Sequence, residues 1–259
     1  MLTAALTYRN VTQNIDRSLD VVAKSPQVSR ESESYLKQIG NVKSIDDFMS
    51  NKRALRYALT AFGLGDIAYA NGLVRKLLEG GVDRPDALAN RLSDQRYRDF
   101  VSAFNFARYG EAATSFGRTQ EGTVERYRRH ILEENVGDQN AGARLALYFQ
   151  RQAPNLRNSL GLLADAALLK VTQTALGLTP YMSNLSIETQ QSLINSKLNV
   201  EDFKDPAKLA KFLNRFTALW DLNNPPAAAT TPILSAFNYP NVAIGSDLLT
   251  AIQRFKSGG

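Results

Sequence analysis

The sequence predicts an all-α protein: a multi-helix, bundle-like domain built from two similar helical halves, with little or no β-sheet. Three observations predict it. Apolar residues recur at spacings of three and four along nearly every segment. Many of these segments open on Ser, Asn or Asp and several close on Gly, residues that satisfy the free N–H groups at a helix start and the left-handed turn at its end. No run alternates apolar and polar residues long enough to face a strand inward.

Taken in order, Tyr8, Val11, Ile15, Leu19 and Val22 place one apolar stripe on a first helix. Ser25-Pro26 reads as a cap followed by proline in the first turn, where its missing N–H costs nothing. Val28, Tyr35, Leu36 and Ile39 line that second helix, and Gly40 stops it. In "NKRALRYALTAFGLGD" Asn51 caps, Leu55, Ala58, Leu59 and Phe62 face inward, and Gly63 supplies the positive φ that other residues resist. Asp66 then restarts a helix carrying Ile67, Ala70, Leu73, Val74 and Leu77, ended by Gly80-Gly81. Asp94 opens another with Tyr97, Val101 and Phe104. Residues 123–134 and 140–152 are helical, the latter with Leu145, Tyr148 and Phe149 for burial.

Asp165 caps "DAALLKVTQTALGLTP" and Gly177 ends it. "SIETQQSLINSKL" is a short helix. Asp205-Pro206 starts a helix bearing Leu209, Phe212, Leu213, Phe216 and Trp220. The run 222–246 is uncharged but holds Pro225, Pro226, Pro232 and Pro240, so it reads as a loop and not a membrane span. Ser246 caps a final helix with Leu248, Leu249, Ile252 and Phe255.

The helices ending at Gly63 and Gly177 follow one grammar. Aligned on those glycines, Leu55 meets Leu169, Thr60 meets Thr174, Ala61 meets Ala175 and Leu64 meets Leu178. "LSDQRYRDFVSAF" and "FKDPAKLAKFLNRF" follow them in the same order. We therefore expect an internal duplication. The expected division is a domain over 1–222, with similar halves at about 44–106 and 158–222, then a proline-rich loop and helix over 223–259.

A chain of 259 residues with 44% hydrophobic and 22% charged residues can bury a real core. It has no cysteine, which excludes disulfides and thiolate chemistry. The net charge of +6 is spread among interleaved acids, a pattern that argues against nucleic acid as the partner. "MLTAALTYRN" lacks the basic n-region of a cleavable signal peptide, so the expected location is cytoplasmic, with export by a route that needs no cleaved signal the other option.

No catalytic, cofactor or metal constellation stands out. His130, the one histidine, lies among charges and reads as a helix-surface residue. Arg126, Arg128 and Arg129 form the densest basic cluster. Arg126 and Arg129 share a face, and Glu125, Glu133 and Glu134 lie within pairing reach. A self-paired solvated face is the plain reading, and a docking patch for an acidic partner the sharper one. Asp46-Asp47 suits the start of a helix. The first helix and the helix of Leu248, Leu249, Ile252 and Phe255 are amphipathic; packing back onto their own domain is the plain reading, and docking of one of them into a partner's groove the sharper one.

"SIDDF", "AFGLGDIAYA" and "RLSDQRY…FNF" carry a resemblance, over about 6–222, to a bacterial family classed as domain of unknown function 1217. The resemblance implies an all-α fold without assigned activity and genes often placed among flagellar genes. It departs from the family in "SESYLKQIG", where Tyr35 stands alone in place of paired aromatics. The expected function is a non-catalytic helical scaffold that binds other proteins, flagellar components among them. The alternative is an enzyme or small-ligand protein with a pocket between the halves.

Overall fold

The computed structural model describes residues 2–225, and the account below concerns them. Leu248, Leu249, Ile252 and Phe255, with most of the proline-rich run, lie outside the described residues. Those described form an all-α fold with no strand among them.

The first apolar stripe is divided between α1 (Ala4–Gln13) and α2 (Ile15–Ala23). Asn14 leaves the helical region there, with φ −132° and ψ 44°. The single helix expected over this stripe is corrected to two, because its ends pack on different partners. The period survives the break, and Tyr8 and Val22 are both buried. Then come α3 (Pro26–Ile39), α4 (Ile45–Ser50) and α5 (Lys52–Ala61). Ser25 makes no side-chain cap, whereas Ser44 and Asp47 form a reciprocal capping box at α4.

Asp66 does not start a helix. It sits in a 3-10 turn, Gly65–Ile67, and α6 runs Asn71–Gly80. The glycines on both sides of Leu64 favour a tight turn, which delays the helix until the apolar set Val74 and Leu77 can reach the core. Short helices α7 (Leu88–Arg91), α8 (Gln95–Ala103) and α9 (Phe106–Tyr109) follow. After two 3-10 turns come α10 (Glu121–Gln139), α11 (Ala141–Gln152), α12 (Leu160–Ala164), α13 (Ala166–Leu176), α14 (Ile187–Asn195) and α15 (Pro206–Asn223).

Helices α10 and α11 form the spine. α10 packs on α2, α3 and α5, while α11 packs on α1, α13 and α15. The hydrophobic core is one continuous cluster from Tyr8 to Phe216. The first helix is fastened to the last of those described: the amides of Ala4 and Ala5 donate to the Asp221 carboxylate at 2.7 and 3.1 Å, so α15 caps α1. Gly142 lets the Trp220 ring lie against α11, since any Cβ there would overlap the indole.

The repeated grammar is visible in the caps. Asn51 accepts from Ala54, and Asp165 accepts from Ala167 and Leu168. Gly63 and Gly177 have φ of 72° and 66°. The next amide bonds back to Leu59 in one helix and Gln173 in the other, both at 2.8 Å. The pairing of helices does not follow the repeat. α13 lies along α15, whereas α5 meets α8 mainly at its end, where Phe62 faces Phe100 and Phe104.

Candidate functional site

Helices α3, α5 and α10 converge on a ladder of three tyrosines. Tyr35 and Tyr57 stack at 4.5 Å between ring centroids, and Tyr57 and Tyr127 at 4.0 Å. The aromatic partner of Tyr35 thus comes from another helix. The hydroxyls are satisfied: Tyr57 pairs with Ser32 at 2.9 Å, Tyr35 donates to the Thr119 carbonyl, and Tyr127 donates to Glu31. Burial pushes the Tyr57 phenol up to about 12 and raises those of Tyr35 and Tyr127 as well. These phenols stay protonated and serve as structural hydrogen-bonding groups.

Above the ladder an open groove of about 880 Å³ runs along α5. Lys52, Arg53 and Arg56 line its α5 side. Lys52 and Arg53 stand in the first helical turn, which holds no acidic residue. The partial positive charge of the helix start adds to theirs. Among the described residues Arg53 and Arg56 make no ion pair. Lys52 donates to Asn71 at 2.9 Å.

The other side, from α3 and α10, is acidic but occupied. Glu31 accepts from Tyr127 and Gln27, and Glu134 faces His130 at 3.3 Å. One end is closed by Gly63, Gly65, Asp66 and Arg96. Arg96 is held by Asp94 at 2.8 Å and donates to the Gly63 carbonyl at 2.6 Å.

The arginines singled out in the sequence do not form one patch. Arg126 lies 4.8 Å over the Phe62 ring. Arg128 is half-buried, and its Nε has no partner among the described residues. Arg129 turns inward toward Glu133 at 3.5 Å, and burial lowers its pKa. Spacing of three put Arg126 and Arg129 on neighbouring positions, but α10 is covered from several directions and the two meet different surroundings. His130 also departs from the surface reading, with its side chain 18% exposed. Burial depresses its pKa against the opposing pull of Glu134 and Glu133.

Glu133 itself is 2% exposed. It receives a two-pronged contact from Arg151 at 2.7 and 2.8 Å. That geometry compensates a buried charge and leaves no free carboxylate for chemistry.

A small gap lies at the seam between the two expected halves. The gap bounded by Asp94, Arg96, Leu156, Asp165 and Leu168 measures about 20 Å³, room for about one water. Tyr148 donates to Asp165 there at 2.6 Å. The large cavity is elsewhere, in the groove, and takes no residue from 158–222. Among the described residues no cluster of three or more His, Asp or Glu could hold a metal, and no helix is long and apolar enough to cross a membrane.

Sequence reasoning did not single out Lys52, Arg53, Arg56 or the tyrosine ladder. One signal was present: two bases in a first turn without an acid, set against the helix dipole.

The chain matches the family model for protein of unknown function (DUF1217) over residues 61–209. It is similar to the crystal structure of an Agrobacterium tumefaciens protein solved by a structural genomics consortium. The identity is 42% over 87% of this chain and 98% of that one, with a TM-score of 0.79. No curated protein matches the sequence.

Proposed function

The chain belongs to the DUF1217 family, and from that premise we propose that it is a non-catalytic helical scaffold that binds another protein in bacterial flagellar assembly or function. The observation that carries the binding part is the groove along α5. It is open, large, and lined on its α5 side by cations without ion-pair partners among the described residues. The flagellar part rests on the family resemblance alone.

The buried titratable groups support a structural role for themselves. Glu133 is committed to Arg151, Tyr127 to Glu31, and Tyr148 to Asp165. The alternative, a ligand pocket between the halves, loses weight at that place because the seam leaves about 20 Å³.

The test is an in-frame deletion with a complemented control, read by swimming and by electron microscopy of filaments. Lost or altered filaments are expected for an assembly role, and intact but paralysed ones for a role in rotation. Normal swimming with normal filaments overturns the flagellar reading.

A further inference from the structure

We propose that the groove along α5 receives an amphipathic helix from another protein, with an acidic stripe set against Lys52, Arg53 and Arg56. This deepens the protein-binding reading above and rests on it. The size fits: a helix with its side chains is about 10 Å across and rises about 5.4 Å per turn, so two or three half-sunk turns displace several hundred cubic ångströms, against about 880 Å³ available.

Charge selects the occupant. Lys52 and Arg53 crowd the positive end of α5 and Arg56 follows in the next turn, an arrangement that costs the helix start stability and brings no ion pair to Arg53 or Arg56 among the described residues. A local choice that opposes its own helix marks a place where function overrides stability. Incoming carboxylates would relieve it. The opposite rim carries Glu31 and Glu134, and Asp66 sits at one end. Those carboxylates repel a polymer that is anionic all round. They admit a helix that is acidic on one face and neutral or basic on the other, which favours a protein segment over nucleic acid.

The experiment uses the full chain and fluorescence anisotropy. The probe is a fluorescein-labelled helical peptide of about 15 residues with glutamates at spacings of three and four on one face. Its comparisons are the same peptide with lysine for glutamate, and a single-stranded DNA oligonucleotide. Variant one is Lys52→Glu with Arg53→Glu and Arg56→Glu. Variant two moves the same charge on exposed positions elsewhere, Lys170→Glu with Lys211→Glu and Arg215→Glu.

The acidic peptide is expected to bind wild type. Variant one should weaken that binding at least about tenfold, and variant two less than about threefold. Variant one should melt close to the wild-type temperature, because the acids at 52 and 53 favour the helix start and offset the loss of the Lys52 bond to Asn71. Loss of binding therefore cannot be assigned to unfolding. A Gln series at 52, 53 and 56 should show a loss in the same direction but smaller, since it removes attraction without adding repulsion. Equal loss in both variants, no binding of the acidic peptide, or equal binding of the lysine peptide or the DNA overturns the proposal.

Complementation separates it from the broader reading. If variant one loses the peptide yet corrects the motility defect of the deletion strain, the groove proposal falls and the flagellar reading stands. If the deletion strain swims normally, the flagellar reading falls whatever the peptide does.

Discussion

Arg96, from the first turn of α8, donates through Nη1 to the carbonyl of Gly63 at 2.6 Å. The contact ties the end of α5 to the next structural group and closes one end of the groove. It is possible because Gly63 turns its backbone to φ 72° just past the helix. Asp94 keeps the guanidinium aimed, with contacts at 2.8, 3.0 and 3.1 Å. One charged side chain therefore caps a helix end, braces the turn and borders the site.

Gly63→Ala should cost about 1–2 kcal/mol, and Gly177→Ala about the same. In a domain of this size each lowers Tm by roughly 2–8 °C. The cost arises from φ, since a Cβ at Gly63 meets only Arg96 at 3.5 Å and one at Gly177 meets nothing within 4 Å. Thermal melts of the two variants check this. A negligible effect at Gly177 with a full one at Gly63 would place the cost in the Arg96 contact and not in the turn.

The fold was largely legible because its signals are local. Asn51, Asp94, Asp165 and Asp205 cap where their sequence positions say, and Gly63 and Gly177 turn where theirs say. The bend at Asn14 was not legible, since the apolar period runs through it and only the different packing partners of α1 and α2 require it. The site was barely legible. Tyr35, Tyr57 and Tyr127 come from three helices far apart in sequence, and a stack between them is a tertiary fact. The arginine cluster at 126–129 stood out by density, yet its members are drawn to Phe62 and to Glu133. Density on a helix does not say which neighbours will cover it.

His130 should give the protein an acid-sensitive limb. Burial holds its folded pKa below the ordinary 6.5, with Glu134 and Glu133 pulling the other way and Arg151 and Arg144 adding to the depression. As pH falls through 6.5 the unfolded chain takes up the proton first, so stability is full above that value and declines below it. Asp99 works with the opposite sign: burial raises its pKa above 3.8, so its contribution is present below 3.8 and is lost as pH rises through the folded value. His130→Gln should flatten the pH 5–7 part of a denaturation series relative to wild type. An unchanged slope would show that the imidazole is not the group responsible.

Glu133 should be the most expensive single charge to remove. It is 2% exposed, receives both prongs of Arg151, and faces Arg129 at 3.5 Å. Glu133→Gln keeps the shape but leaves two guanidiniums in a poorly solvated place, for a loss of about 3–5 kcal/mol. Arg151→Met should cost less, because Arg129 remains to face the carboxylate. The double variant Glu133→Met with Arg151→Met should recover part of the loss, since an apolar pair needs no compensation and Arg129, 20% exposed in its side chain, can reach water. Urea denaturation of the four proteins checks the order. If Arg151→Met cost as much as Glu133→Gln, Arg129 would contribute nothing to the carboxylate, and the cluster would be a pair rather than a triad.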